Sequence, residues 1–179
     1  EKSKRCFAGE IPPIPHSVKR VGVFVDASIA EISEKVKSHT LQLAQLHGKE
    51  TPSFCVELKK TIPQLRIIKV FSVKDDFNFS QLRPFEGVCD YYLFDTKGEL
   101  PGGNGYAFNW EVLKDYPSTK PYFLSGGIGL KEIGSIKEFL KKPESKYCHA
   151  IDVNSRFEIE PGLKNIEELK EFKKVLSTK

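Results

Sequence analysis

Short apolar runs alternate with amphipathic stretches along this chain, and that alternation sets the expected fold. Arg20-Val-Gly-Val-Phe-Val25 is a β-branched run ending at Asp26, and Ile29, Ile32 and Val36 follow at helical spacing with charges between them. Leu41-Gln-Leu-Ala-Gln-Leu46 predicts a second strand, which stops at His47-Gly48. Residues Thr51 to Lys60 predict a helix with Pro52 near its start, where a missing N–H costs nothing. The rhythm continues through four more rounds. Arg66 to Phe71 predicts a strand, followed by a weakly helical region between Asp75 and Arg83. Asp90 to Phe94 predicts another, followed by a glycine-rich loop over 98–105 and a helix from about Asn109 to Asp115. Pro121 to Leu124 precedes a helix around Lys131 to Lys141, and His149 to Val153 precedes a closing helix from Ile166 to Leu176.

Strands that are apolar on both faces and separated by helices call for a parallel sheet covered by helices, an α/β fold. An open doubly wound sheet would carry a phosphate fingerprint after its first strand, and none is present. Instead, polar and glycine positions recur at the C-terminal strand ends: Asp26, His47-Gly48, Asp95-Thr96, Gly126-Gly127, and Asp152 with Ser155. Barrel enzymes build their sites there, from several strands at once. The expected architecture is therefore a TIM (β/α)8 barrel, of which six strand–helix units are present. We take residues 1–179 as a single barrel domain, incomplete at its N-terminus.

Composition narrows the function. With 39% hydrophobic and 29% charged residues the chain has the makings of a core, and no apolar run is long enough for a membrane span or a signal peptide. The net charge of +4 is mild, and lysines stand beside Glu, as in Glu34–Lys35 and Lys137–Glu138, in the manner of solvated helix faces. A nucleic-acid footprint would cluster that charge; a small anionic substrate suits it at least as well. Cys6, Cys55, Cys89 and Cys148 lie far apart, with no CxxC pair and no His at metal-ligand spacing. They are expected to be free thiols in a reducing cytoplasm. The sequence opens at Glu1 and contains no Met.

Asp95 is the strongest candidate for chemistry. It ends an apolar strand, where a carboxyl would project into a barrel mouth and partial desolvation would tune it for proton transfer. The competing reading is an Asp that caps the next turn. Ser125-Gly-Gly-Ile128 joins a strand to a helix, so its glycines either admit an anion to backbone amides or only make a tight turn. The next unit strengthens the first possibility, because Asp152-Val-Asn-Ser155 follows the very next strand and the last two loops of barrel enzymes often share a phosphate site. His47 at its strand end serves equally as a structural hydrogen-bonder or a ligand contact. Arg5 has the fork that pairs with carboxylates, yet taken alone is one more basic residue near a chain end.

Together these motifs resemble the phosphoribosylanthranilate isomerase family. The match runs in order: Ser3-Lys-Arg5, Val21-Gly-Val-Phe-Val25, Gln45-Leu-His-Gly48, Leu93-Phe-Asp-Thr96, Gly102-Gly-Asn-Gly105 with Phe108-Asn-Trp110, Leu124-Ser-Gly-Gly127, and Ile151-Asp-Val-Asn-Ser155 with Glu158 and Pro161-Gly-Leu-Lys164. The resemblance implies an Amadori rearrangement in tryptophan biosynthesis, with Asp95 as general acid and Arg5 at the anthranilate carboxylate. It also places His47 on the substrate site and Gly126, Gly127, Asp152, Asn154 and Ser155 in the phosphate-binding loops. It implies no metal and no organic cofactor, a phosphorylated small-molecule substrate, and a monomer or homodimer without nucleic-acid or membrane partners.

The family's general base is a Cys in a Lys-x-Cys-Gly motif on the first strand, and no such motif occurs here. Ser3-Lys-Arg5 matches the segment after the family's second strand, so the natural protein is expected to carry a further strand–helix–strand segment, or something that replaces it. Two other functions stay open on the residues alone. One is a different phosphate-sugar barrel enzyme of the tryptophan or histidine pathways. The other is a non-catalytic remnant that binds phosphorylated metabolites or a protein partner.

Overall fold

In a computed structural model the chain is described over residues 11–73, 77–96 and 110–177. Strand β1 (Val21–Phe24) leads to helix α1 (Ile29–His39), β2 (Leu43–Leu46), α2 (Pro52–Thr61) and β3 (Arg66–Val73). β4 (Tyr91–Thr96), β5 (Tyr122–Ser125), α3 (Ile133–Leu140), β6 (Cys148–Ile151) and α4 (Ile166–Ser177) continue the series.

Local chemistry explains where the first helices begin. Ser28 caps α1 through a reciprocal pair with Glu31: the Glu31 N–H donates to Ser28 Oγ and the Ser28 N–H donates to the Glu31 carboxylate. Thr51 caps α2 by accepting from the Phe54 N–H, with Pro52 in the first turn. Each helix turns its apolar stripe inward, Ile32 and Val36 from α1 and Cys55 and Leu58 from α2.

Two segments expected as helices are 3-10 turns instead. Phe79–Phe85 contains Pro84, which has no N–H for an α-helical ladder. Trp110–Asp115 is followed closely by Pro117, which disfavours α-helical backbone at Tyr116. The helix expected over 131–141 is a 3-10 turn, Leu130–Glu132, running into α3. An antiparallel hairpin, β7 (Glu158–Glu160) with β8 (Leu163–Lys164), turns at Gly162 with φ 92° and was not expected.

Six strands form one sheet in the order β1-β2-β3-β4-β5-β6, every neighbour parallel. Each new strand adds on the same side, which is the winding of a barrel; an open doubly wound sheet reverses direction partway. One face carries Ala44, Leu46, Ile67, Phe71, Tyr92, Phe94, Tyr122 and Leu124 against the helices. The other carries Leu43, Ile68, Val70, Tyr91 and Leu93, with Phe123 beside them. Both faces are apolar, as the continuous strand patterns predicted, and parallel pairing brings all six C-terminal strand ends to one rim.

Candidate active site

The rim gathers most of the residues predicted from sequence. Register places Asp95 of β4 between Ser72 of β3 and Ser125 of β5. His47 follows directly on β2, and its Nε2 lies 3.4 Å from Asp95 Oδ2. The Asp95 side chain is 17% exposed and that of His47 33%, so the pair is sheltered but open to a ligand. Asp95 and His47 line one cavity of about 370 Å³ together with Gly126, Gly127, Asp152, Asn154 and Ser155.

A layer beneath the rim holds His47 in position. The His47 N–H donates to the Phe24 carbonyl at 2.8 Å. Buried Glu50 accepts from the N–H of Gly48 at 3.0 Å and from that of Asp26 at 3.0 Å. Lys69, buried in β3 on the helix side, donates to Glu50 Oε2 at 2.9 Å, to the Gly48 carbonyl at 2.8 Å and to the Leu46 carbonyl at 3.2 Å. One ion pair thereby ties the ends of β1, β2 and β3 together. Gly48 is required by close approach, since a Cβ there would stand 2.6 Å from the Asp26 backbone nitrogen.

The opposite wall is made by the turns after β5 and β6. Gly126 and Gly127 have φ of 103° and 64°, backbone that a side chain would strain. Ser125 Oγ donates to Asp152 Oδ2 at 2.7 Å, and the Asp152 N–H donates to the Leu124 carbonyl at 2.8 Å, joining the two turns. Lys164 of β8 binds the Asn154 side chain and its carbonyl, and pairs with Glu158 at 2.7 Å. The unexpected hairpin thus anchors the last loop.

Arg5, Cys6 and the glycine-rich loop over 98–105 lie outside the described residues. The three described thiols, Cys55, Cys89 and Cys148, are free. Burial pushes them up to about 11, 12 and 11 respectively, so they stay protonated and unreactive near neutrality. No group of three His, Cys, Asp or Glu side chains among the described residues is placed to hold a metal ion.

Sequence reasoning missed several rim residues: Gln45, Ile128, Val153 and Arg156 also line the cavity. It passed over Lys69 and Glu50 as well, although a lysine inside an otherwise apolar strand is a legible signal, because a buried ammonium needs a partner.

A one-way parallel sheet with a carboxyl–imidazole pair and two glycine-bearing turns on its C-terminal rim is the arrangement of a (β/α) barrel enzyme. The comparisons specify which one. The chain belongs to the N-(5'-phosphoribosyl)anthranilate (PRA) isomerase family, whose family model matches residues 1–175. It is therefore an isomerase. N-(5'-phosphoribosyl)anthranilate isomerase of Parabacteroides distasonis is 43% identical over 156 residues, which is 87% of this chain and 68% of the relative. The crystal structure of phosphoribosyl anthranilate isomerase from Thermotoga maritima superposes with a TM-score of 0.74 at 27% identity, over 91% of this chain and 75% of that one. A further structure of the enzyme, in complex with reduced 1-(o-carboxyphenylamino)-1-deoxyribulose 5-phosphate, has a TM-score of 0.72 at 25% identity and covers 91% of this chain and 73% of its own.

Proposed function

We propose that this protein converts N-(5'-phosphoribosyl)anthranilate to 1-(2-carboxyphenylamino)-1-deoxyribulose 5-phosphate, the isomerisation step of tryptophan biosynthesis. The observation that carries the reading is one cavity bringing Asp95 and His47 to one side and the Gly126–Gly127 and Asp152–Ser155 turns to the other. The reaction has two demands, a proton placed at a sugar ring oxygen and a fixed phosphate, and the two walls match them.

Asp95 acts as the general acid. It gives its proton to the furanose ring oxygen while the anilino nitrogen's lone pair expels that oxygen from C1, leaving an open-chain protonated imine. A general base then removes the C2 proton, and the resulting enolamine tautomerises to the ketone. By the family resemblance that base is a Cys on the first strand. None of Cys55, Cys89 and Cys148 takes the part, since burial keeps each protonated. The His47 imidazole, 3.4 Å from Asp95, steers the acid toward the cavity. The amides of Gly126 and Gly127, with Asn154 and Ser155, receive the phosphate; Asp152 orders the corner through the Ser125 hydroxyl. Arg5 meets the anthranilate carboxylate.

This reading takes residues 1–179 as part of one barrel domain, working as a monomer or homodimer without a metal or organic cofactor. A reducing cytoplasm suits the free thiols. No helix among the described residues is long and apolar enough to cross a membrane. The test is the fluorescence of the anthranilate adduct, generated in situ and followed as the natural full-length protein is added. Protein-dependent loss of the signal is expected; an unchanged signal, with anthranilate adduct still bound, would favour a binding remnant instead.

A further inference from the structure

The charge on the cavity wall does not suit the ligand proposed above unless one more residue takes part. Asp95 and Asp152 are carboxylates facing a space meant for a phosphate ester. The amides of Gly126 and Gly127 bring only partial positive charge. Of the described lining residues, Arg156 alone carries a permanent full positive charge.

Its placement is well defined. Arg156 sits in the 3-10 turn Ser155–Phe157 directly after β6, and the neighbouring Phe157 is fully buried with its ring 5.1 Å from that of Phe172 in α4. The backbone of the turn is therefore pinned to the core. From there the Arg156 stem reaches across to the turn after β5: a Cβ built on Gly129 would stand 3.2 Å from Arg156 Cβ and 3.6 Å from its Cγ. The nearby Glu132 carboxylate accepts from the Gly129 N–H at 2.8 Å and makes no ion pair with Arg156. Arg156 itself has no ion-pair or hydrogen-bond partner among the described residues.

We propose that Arg156 is a specificity-determining residue for the phosphate end of the substrate, bridging the two turns and supplying the countercharge that the amides lack. A guanidinium offers two parallel N–H donors to a phosphate, and Arg156 lines a cavity whose other full charges are two carboxylates. The inference rests on the isomerase reading for the identity of the phosphate ester, but the anion site is measured without turnover.

The test uses inorganic phosphate as the probe, titrated into the protein and followed by backbone amide shifts of the 126–129 and 152–156 turns. Arg156→Ala is expected to weaken phosphate binding about three- to tenfold, the range for a charge-assisted contact open to solvent. Arg156→Lys should recover part of that loss, and the control Lys173→Ala, on the exposed side of α4, should leave phosphate affinity unchanged. In the isomerase assay Arg156→Ala should raise KM with kcat little changed. Unchanged phosphate affinity in Arg156→Ala, an equal loss in Lys173→Ala, or no phosphate binding by the parent protein would each overturn the proposal. Absent turnover by the natural full-length protein, with the Arg156-dependent phosphate affinity intact, would overturn the isomerase reading and leave this one standing.

Discussion

The general-acid role proposed for Asp95 requires shelter from water and a neighbour to aim the carboxyl, and Asp95 has both. Its side chain is 17% exposed, and the His47 imidazole stands 3.4 Å away. Replacing the acid with an amide preserves shape and removes the proton. Asp95→Asn should therefore lower kcat by about 10²- to 10⁴-fold, the usual scale of general acid catalysis, while affinity for a product analogue changes less than about twofold. Near-normal turnover in that variant would remove Asp95 from the role. Asp95 and His47 were legible in the sequence because each ends an apolar strand, so its position on the rim follows from local pattern alone. Arg156 and Lys164 were not legible. Their importance depends on which loops meet, and nothing within a few residues of either announces that meeting.

The same division holds for whole elements. Helices α1 and α2 could be placed from Ser28 with Glu31 and from Thr51 with Pro52, because capping chemistry is local. The stretches ending at Phe85 and Asp115 were expected to be helical and became 3-10 turns, since Pro84 and Pro117 outweigh the apolar spacing. At this scale the Glu50–Lys69 pair is the buried ion pair that joins three strand ends. Its side chains are 2% and 5% exposed, so both charges are desolvated and each depends on the other. Lys69→Met would leave the Glu50 carboxylate buried without a counter-ion, at a cost of about 3–5 kcal/mol. Adding Glu50→Gln should restore part of this, because the orphaned charge disappears. Urea unfolding midpoints of the single and double variants give the comparison. A single variant as stable as the parent would show that the pair does not hold the three strand ends together.

At the scale of the molecule, the sheet and the site should differ in how tightly they are held. β3 and β4 are paired on both sides, and their central residues, from Ile67 to Phe71 and from Tyr92 to Phe94, are buried almost throughout. The β7–β8 hairpin has two short strands and exposes Ile159 and Leu163, yet through Lys164 it anchors the Asn154 turn on the cavity wall. Barrels place a stable sheet beneath loops that must admit and release ligand, and the least protected parts of a protein are those that ligands order. Amide exchange should accordingly be slowest at 67–71 and 92–94, close to the limit set by global unfolding. It should be much faster at 154–164. If phosphate binds at the proposed corner, saturating inorganic phosphate should slow exchange across 154–164 through suppressed local opening, because it orders the turn that the hairpin supports. The central strands should slow as well, by the factor that binding adds to global stability. Slowing confined to the central strands would place the ligand away from the rim, against the arrangement of Gly126, Asp152 and Ser155 about one cavity.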